Sequence, residues 1–78
     1  MDKTERIKKL KSLIKKIEKS IGELYYVSQD VMGLLEENDF MQIYHTNQNV
    51  LDELKRIRYI LKEELKTLQE SNENTINN

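Results

Sequence analysis

The chain has no cysteine, no proline and no tryptophan, and only two glycines in 78 residues. Each absence excludes something. Without cysteine there is no disulfide framework and no thiolate metal site, which suits a reducing, cytoplasmic setting. Proline and glycine punctuate strand-rich and loop-rich folds, so their scarcity argues against both. No apolar run reaches the ~18 residues that a membrane span needs, so no membrane partner is expected. The charged N-terminus lacks the apolar stretch of a signal peptide, so none is expected. From Ser20 to Leu54 there is no lysine or arginine at all.

What remains is rich in Lys, Glu, Leu and Ile, residues that suit helices. A chain this short is one small domain at most. Below ~80 residues a single core rarely supplies more than ~3–5 kcal/mol without a staple. With disulfides excluded and no metal ligands in view, oligomerisation is the staple left. Net charge is −1, but it is unevenly spread. Residues 1–19 hold eight bases against three acids, and residues 20–54 hold seven acids and no base. Residues 55–78 hold five bases against four acids.

The first half follows a heptad. Ile7, Leu10, Ile14, Ile17, Ile21, Leu24, Ser28, Val31 and Leu35 alternate steps of three and four, and only Ser28 is polar. That periodicity predicts a long helix with a coiled-coil-like seam. Asp2 and Glu5 have the spacing of a capping box at its start. In the second half Phe40, Asn47, Leu54, Leu61 and Leu68 recur every seven residues as a positions. Ile43, Val50 and Ile57 stand at d, where Glu64 breaks the series, and Tyr44, Leu51 and Leu65 stand at e. Between the halves lies Glu36-Glu37-Asn38-Asp39, and Asp39 with Gln42 has capping-box spacing.

Folding the chain at that turn pairs the apolar positions of the two halves. It also sets Ser28 opposite Asn47, a polar layer of the kind that fixes register. Leu13, Val27 and Leu34 widen the stripe of the first helix on one edge, and Tyr25 and Met32 on the other. Leu51, Ile60 and Leu65 widen that of the second. A stripe this wide matches a helix in a four-helix bundle, which two hairpins can supply. The expected fold is therefore all-α: an antiparallel helical hairpin that dimerises into an antiparallel four-helix bundle. Helix 1 is expected over residues 3–35, the turn over 36–39, helix 2 over 40–69, and a disordered polar tail over 70–78. A break at Gly33 would instead permit three helices. In a homodimer, the antiparallel arrangement sets each basic end beside its partner's acidic end, whereas a parallel one juxtaposes like charges.

Little points to catalysis. The one histidine, His45, stands at an outer f position and reads as a solvated side chain. Glu36, Glu37 and Asp39 cluster at the turn without calcium-loop spacing, so no metal or cofactor is expected. Gln48-Asn49-Val50-Leu51-Asp52 only loosely echoes the S-Q-E-L-D motif of the small sporulation aspartyl-phosphate phosphatases, which are also helical hairpins. It has an extra residue and lacks the serine, so no catalytic residue is carried over. The expectation is a non-enzymatic protein-interaction module, a regulator or inhibitor of a larger protein. The candidate partner-binding residues are Tyr26, Met32, Glu36, Glu37, Asp39, Phe40, Met41 and Tyr59: outward tyrosines and an acidic, adaptable tip. The alternative is an RNA- or DNA-binding regulator using a basic outer face. Its candidates are Lys8, Lys9, Lys15, Lys16, Lys19, Lys55, Arg56 and Lys62. Against it stands an isoelectric point of about 5.8.

Overall fold

A computed structural model of the chain shows two helices, α1 (Lys3–Asp30) and α2 (Glu37–Asn77), packed against each other as a hairpin. The structure describes the backbone of residues 1–77 and the side chains of residues 1–70. Beyond Glu70, the segment expected to be a disordered tail lies outside the residues with described side chains. Among the described residues no strand occurs, and no helix is long and apolar enough to cross a membrane.

Helix α1 starts where its capping signal stands. Asp2 is extended, and its Oδ1 accepts the Glu5 N–H at 2.8 Å, satisfying one of the free donors of the first turn. Its inner face is the predicted seam. Ile14 and Ile21 are buried, and Ile7, Leu10, Ile17, Leu24, Ser28 and Val31 are half-buried.

The seam of α2 differs from a simple a/d pattern. Burial follows Asn47, Leu51, Leu54, Arg58, Leu61, Leu65 and Leu68, which are the a and e positions. Val50 and Ile57, at d, remain 41% and 43% exposed. The reason lies in the two charged residues that interrupt the rows. Arg58 can lay its aliphatic stem along the seam and keep its guanidinium in water. Glu64 instead sits on the flank, where its carboxylate accepts from Arg6 at 3.1 Å.

Helix α1 also ends earlier than the heptad implies, at Asp30 rather than near residue 35. Gly33 has φ +85°, a left-handed conformation that no helix continues through. Around it the chain tightens into a turn: Met32 N–H bonds to the Gln29 carbonyl and Leu34 N–H to the Val31 carbonyl. No base stands in the last turn of α1, so its carbonyl end has no cation to favour it. Leu34 and Leu35 consequently lie exposed beyond the helix instead of extending the seam. The break yields a longer turn and not a third helix. Helix α2 then begins at Glu37, ahead of Asp39, and the Glu36 carbonyl accepts the Phe40 N–H at 2.9 Å. Glu37 and Asp39 fall in its first turn, where the helix dipole favours negative charge.

The two glycines should therefore respond oppositely to alanine. A Cβ at either meets nothing within 4 Å, so conformation alone decides. Gly22→Ala, inside α1, is expected to stabilise by about 1 kcal/mol. Gly33→Ala is expected to destabilise by about 1–2 kcal/mol, the cost of a left-handed alanine. Urea melts of both variants check the sign of each shift.

Candidate interaction surfaces

The two polar positions of the seam, Ser28 and Asn47, meet. Asn47 is 9% exposed, and its Nδ2 donates to Ser28 Oγ at 3.0 Å. Cross-helix pairs flank that seam. Arg6 with Glu64 marks one flank. On the other, Lys62 reaches Glu18 at 4.0 Å, and the Lys55 ammonium sits 5.5 Å from the Tyr25 ring centre. The hairpin thus has two unlike flanks as well as its outer surfaces and tip.

The Arg6/Glu64 flank is largely apolar. Leu10 and Leu13 share a recess there with the charged side chains of Arg6, Lys9 and Glu64. Steps of seven carry the same row to Val27 on α1 and to Ile57 and Val50 on α2.

The opposite flank divides by level. Towards the chain ends, a groove is rimmed by Lys11, Lys15, Lys62 and Lys66 over a floor that includes Ile14 and Leu65. Towards the turn, a second groove is lined by Tyr25, Met32, Phe40 and Tyr44 with polar neighbours. The Phe40 and Tyr44 rings stack in sequence, 6.1 Å apart, and Tyr44 meets the His45 ring edge-on at 5.8 Å.

The candidate partner-binding residues are thus only partly assembled. Met32 and Phe40 line one groove, and the structure adds Tyr25 and Tyr44 to it. Tyr26 and Tyr59 are 67% and 66% exposed on different helices, and neither lines that groove. Glu36, Glu37, Asp39 and Met41 are exposed around the start of α2. Of the basic candidates, Lys15 and Lys62 meet at one groove, joined by Lys11 and Lys66. Lys9 is exposed and lines the recess beside Arg6 and Glu64. Lys8, Lys16, Lys19 and Arg56 are exposed and line none of these grooves, and Lys55 stands over Tyr25. The signal that would have found Lys11 and Lys66 is their position at the edge of the stripe, next to the partner helix.

No buried side-chain polar atom among the described residues lacks a hydrogen-bond partner. No group of three His, Cys, Asp or Glu side chains stands close enough there to hold a metal ion. Compared with known proteins, the chain matches no family model, no curated protein and no solved structure.

Proposed function

We propose that this protein is a small, non-enzymatic interaction module. Its hairpin pairs with a second copy and docks on a larger protein as a regulator or inhibitor in the cytoplasm. One observation carries the reading. Among the described residues the hairpin buries only Ile14, Ile21, Leu51 and Leu68 of its apolar side chains, yet leaves more than a dozen large apolar ones exposed. A fold that leaves so much apolar surface open in a chain this small has surfaces meant for other chains.

The groove of Tyr25, Met32, Phe40 and Tyr44 is the assigned docking site for the larger partner. Aromatic and methionine side chains offer an adaptable apolar contact, and the acidic start of α2 beside it favours a basic rim on the partner. Met32 is 65% exposed, so Met32→Glu leaves the fold intact while placing a charge at the groove. Capture of a stoichiometric protein from native lysate is expected with the wild type and lost with Met32→Glu. Equal capture by both would exclude this groove.

A second reading has its own support. Four lysines around one groove form a compact cationic site that suits phosphates. Glu18 pairs with Lys62 and weakens it. If nucleic acid binds there, Lys11→Glu with Lys15→Glu abolishes a salt-sensitive mobility shift. An unaltered shift would exclude that groove.

A further inference from the structure

The antiparallel homodimer expected from the charge pattern leaves open which surface pairs and at what register. We propose that the Arg6/Glu64 flank is the seam of an antiparallel dimer in which each copy's α1 lies over the other's α1, and α2 over α2. This rests on the homodimer reading and adds the face and the register.

The face is set by apolar exposure. Leu13, Val27, Val50 and Ile57 are between 41% and 46% exposed. They run along one side of the hairpin, anchored at one end by the Arg6–Glu64 pair. The opposite flank cannot be a dry seam, because Lys11, Lys15, Lys62 and Lys66 rim it. Size is adequate as well. The 28 residues of α1 extend about 42 Å at ~1.5 Å each. With a width of 18 Å, the face approaches the ~800 Å² per partner of a standard interface.

Orientation is set by charge. The half of the hairpin towards the chain ends holds residues 1–19 and the stretch from 55 onwards, with thirteen bases against seven acids. The half towards the turn holds seven acids and no base. Antiparallel packing lays the basic half of one copy over the acidic half of the other. Parallel packing lays like over like along the whole length.

Register follows from the polar layer. The Ser28–Asn47 bond fixes the levels, so Ser20, eight residues back, stands level with residue 55, eight residues on. A two-fold axis at that level brings Leu13 over the partner copy's Val27, each seven residues from Ser20. The α2 row of the same flank, Val50 and Ile57, centres between residues 53 and 54, within two residues of that level. Ser20, whose hydroxyl bonds back to the Lys16 carbonyl, then meets its own copy at the axis.

The test uses the absence of native cysteine. Single-cysteine variants Ser20→Cys, Leu13→Cys and Val27→Cys are oxidised mildly at tens of micromolar, and Ile57→Glu is weighed by sedimentation equilibrium. Ser20→Cys is expected to cross-link to itself. Leu13→Cys alone should not, but should cross-link when mixed with Val27→Cys. Ile57→Glu should weaken dimerisation by at least about thirtyfold while retaining its helical signal. A wild type of twice 9.4 kDa that shows none of these effects overturns the face and orientation, though the homodimer stands. A monomeric wild type overturns both. A monomer that loses a lysate protein on Ile57→Glu gives the flank to that protein and equally overturns the inference.

Discussion

Leu51→Ala is expected to cost about 2–5 kcal/mol and to leave the chain largely unfolded at room temperature. Leu51 is 0% exposed, the only large side chain so enclosed among those described. It stands near the middle of α2, one turn from the Asn47 layer. Truncation removes apolar area and leaves a void between two helices that have few other buried residues to close it. The expected loss is of the same size as the whole stability of a core this small, ~3–5 kcal/mol. Tyr59→Ala is the control: the ring is two-thirds exposed, so it should stay within about 0.5 kcal/mol. Far-UV circular dichroism with urea titration of both variants decides. A folded Leu51→Ala with an unchanged midpoint would mean that α1 and α2 do not pack through this seam.

Asn47→Leu is expected to act in the opposite direction. A leucine buried at that level gains about 1.5–3 kcal/mol of apolar burial. Against this, Ser28 Oγ loses its donor. That loss is softened because a helical serine can bond back to the carbonyl four residues earlier, as Ser20 and Thr46 already do. The net gain is about 1–2 kcal/mol, raising the melting temperature by about 4–8 °C per kcal/mol. The cost falls on specificity. Without a polar layer the seam has no position that must match, so alternative registers or higher oligomers are expected in the same sample. Calorimetry with light scattering checks both halves. Lower stability with an unchanged oligomeric state would contradict the register-setting role.

Much of the hairpin was legible in the sequence. The a and d positions of α1 from Ile7 to Val31 are the residues that face inward, and Ser28 meets Asn47 as their spacing implies. The end of α1 was not legible from periodicity, because Leu34 and Leu35 continue the apolar pattern past Gly33. Periodicity records which residues are apolar, not whether a glycine between them takes a left-handed conformation. In α2 the ambiguity was between two rows. Val50 and Ile57 at d look as apolar as Leu51 and Leu65 at e, and a period of seven fits both. Arg58 and Glu64 settle it by what their side chains can do in a half-buried place. The same difference leaves Val50 and Ile57 of the d row exposed along that flank. Surface grooves were the least legible, because they form between helices. Met32 and Phe40 could be seen as a pair at the tip, but Tyr25 and Tyr44 join them only once the register is fixed. Lys11 meets Lys66 for the same reason.

Binding another protein is the work proposed for this hairpin. The most direct test is capture of the tagged chain from its native lysate, with and without nuclease, followed by identification of what accompanies it. The account predicts a stoichiometric protein that survives nuclease treatment and high salt. Nucleic acid alone, released by nuclease or by salt, would contradict it and move the function to the lysine groove.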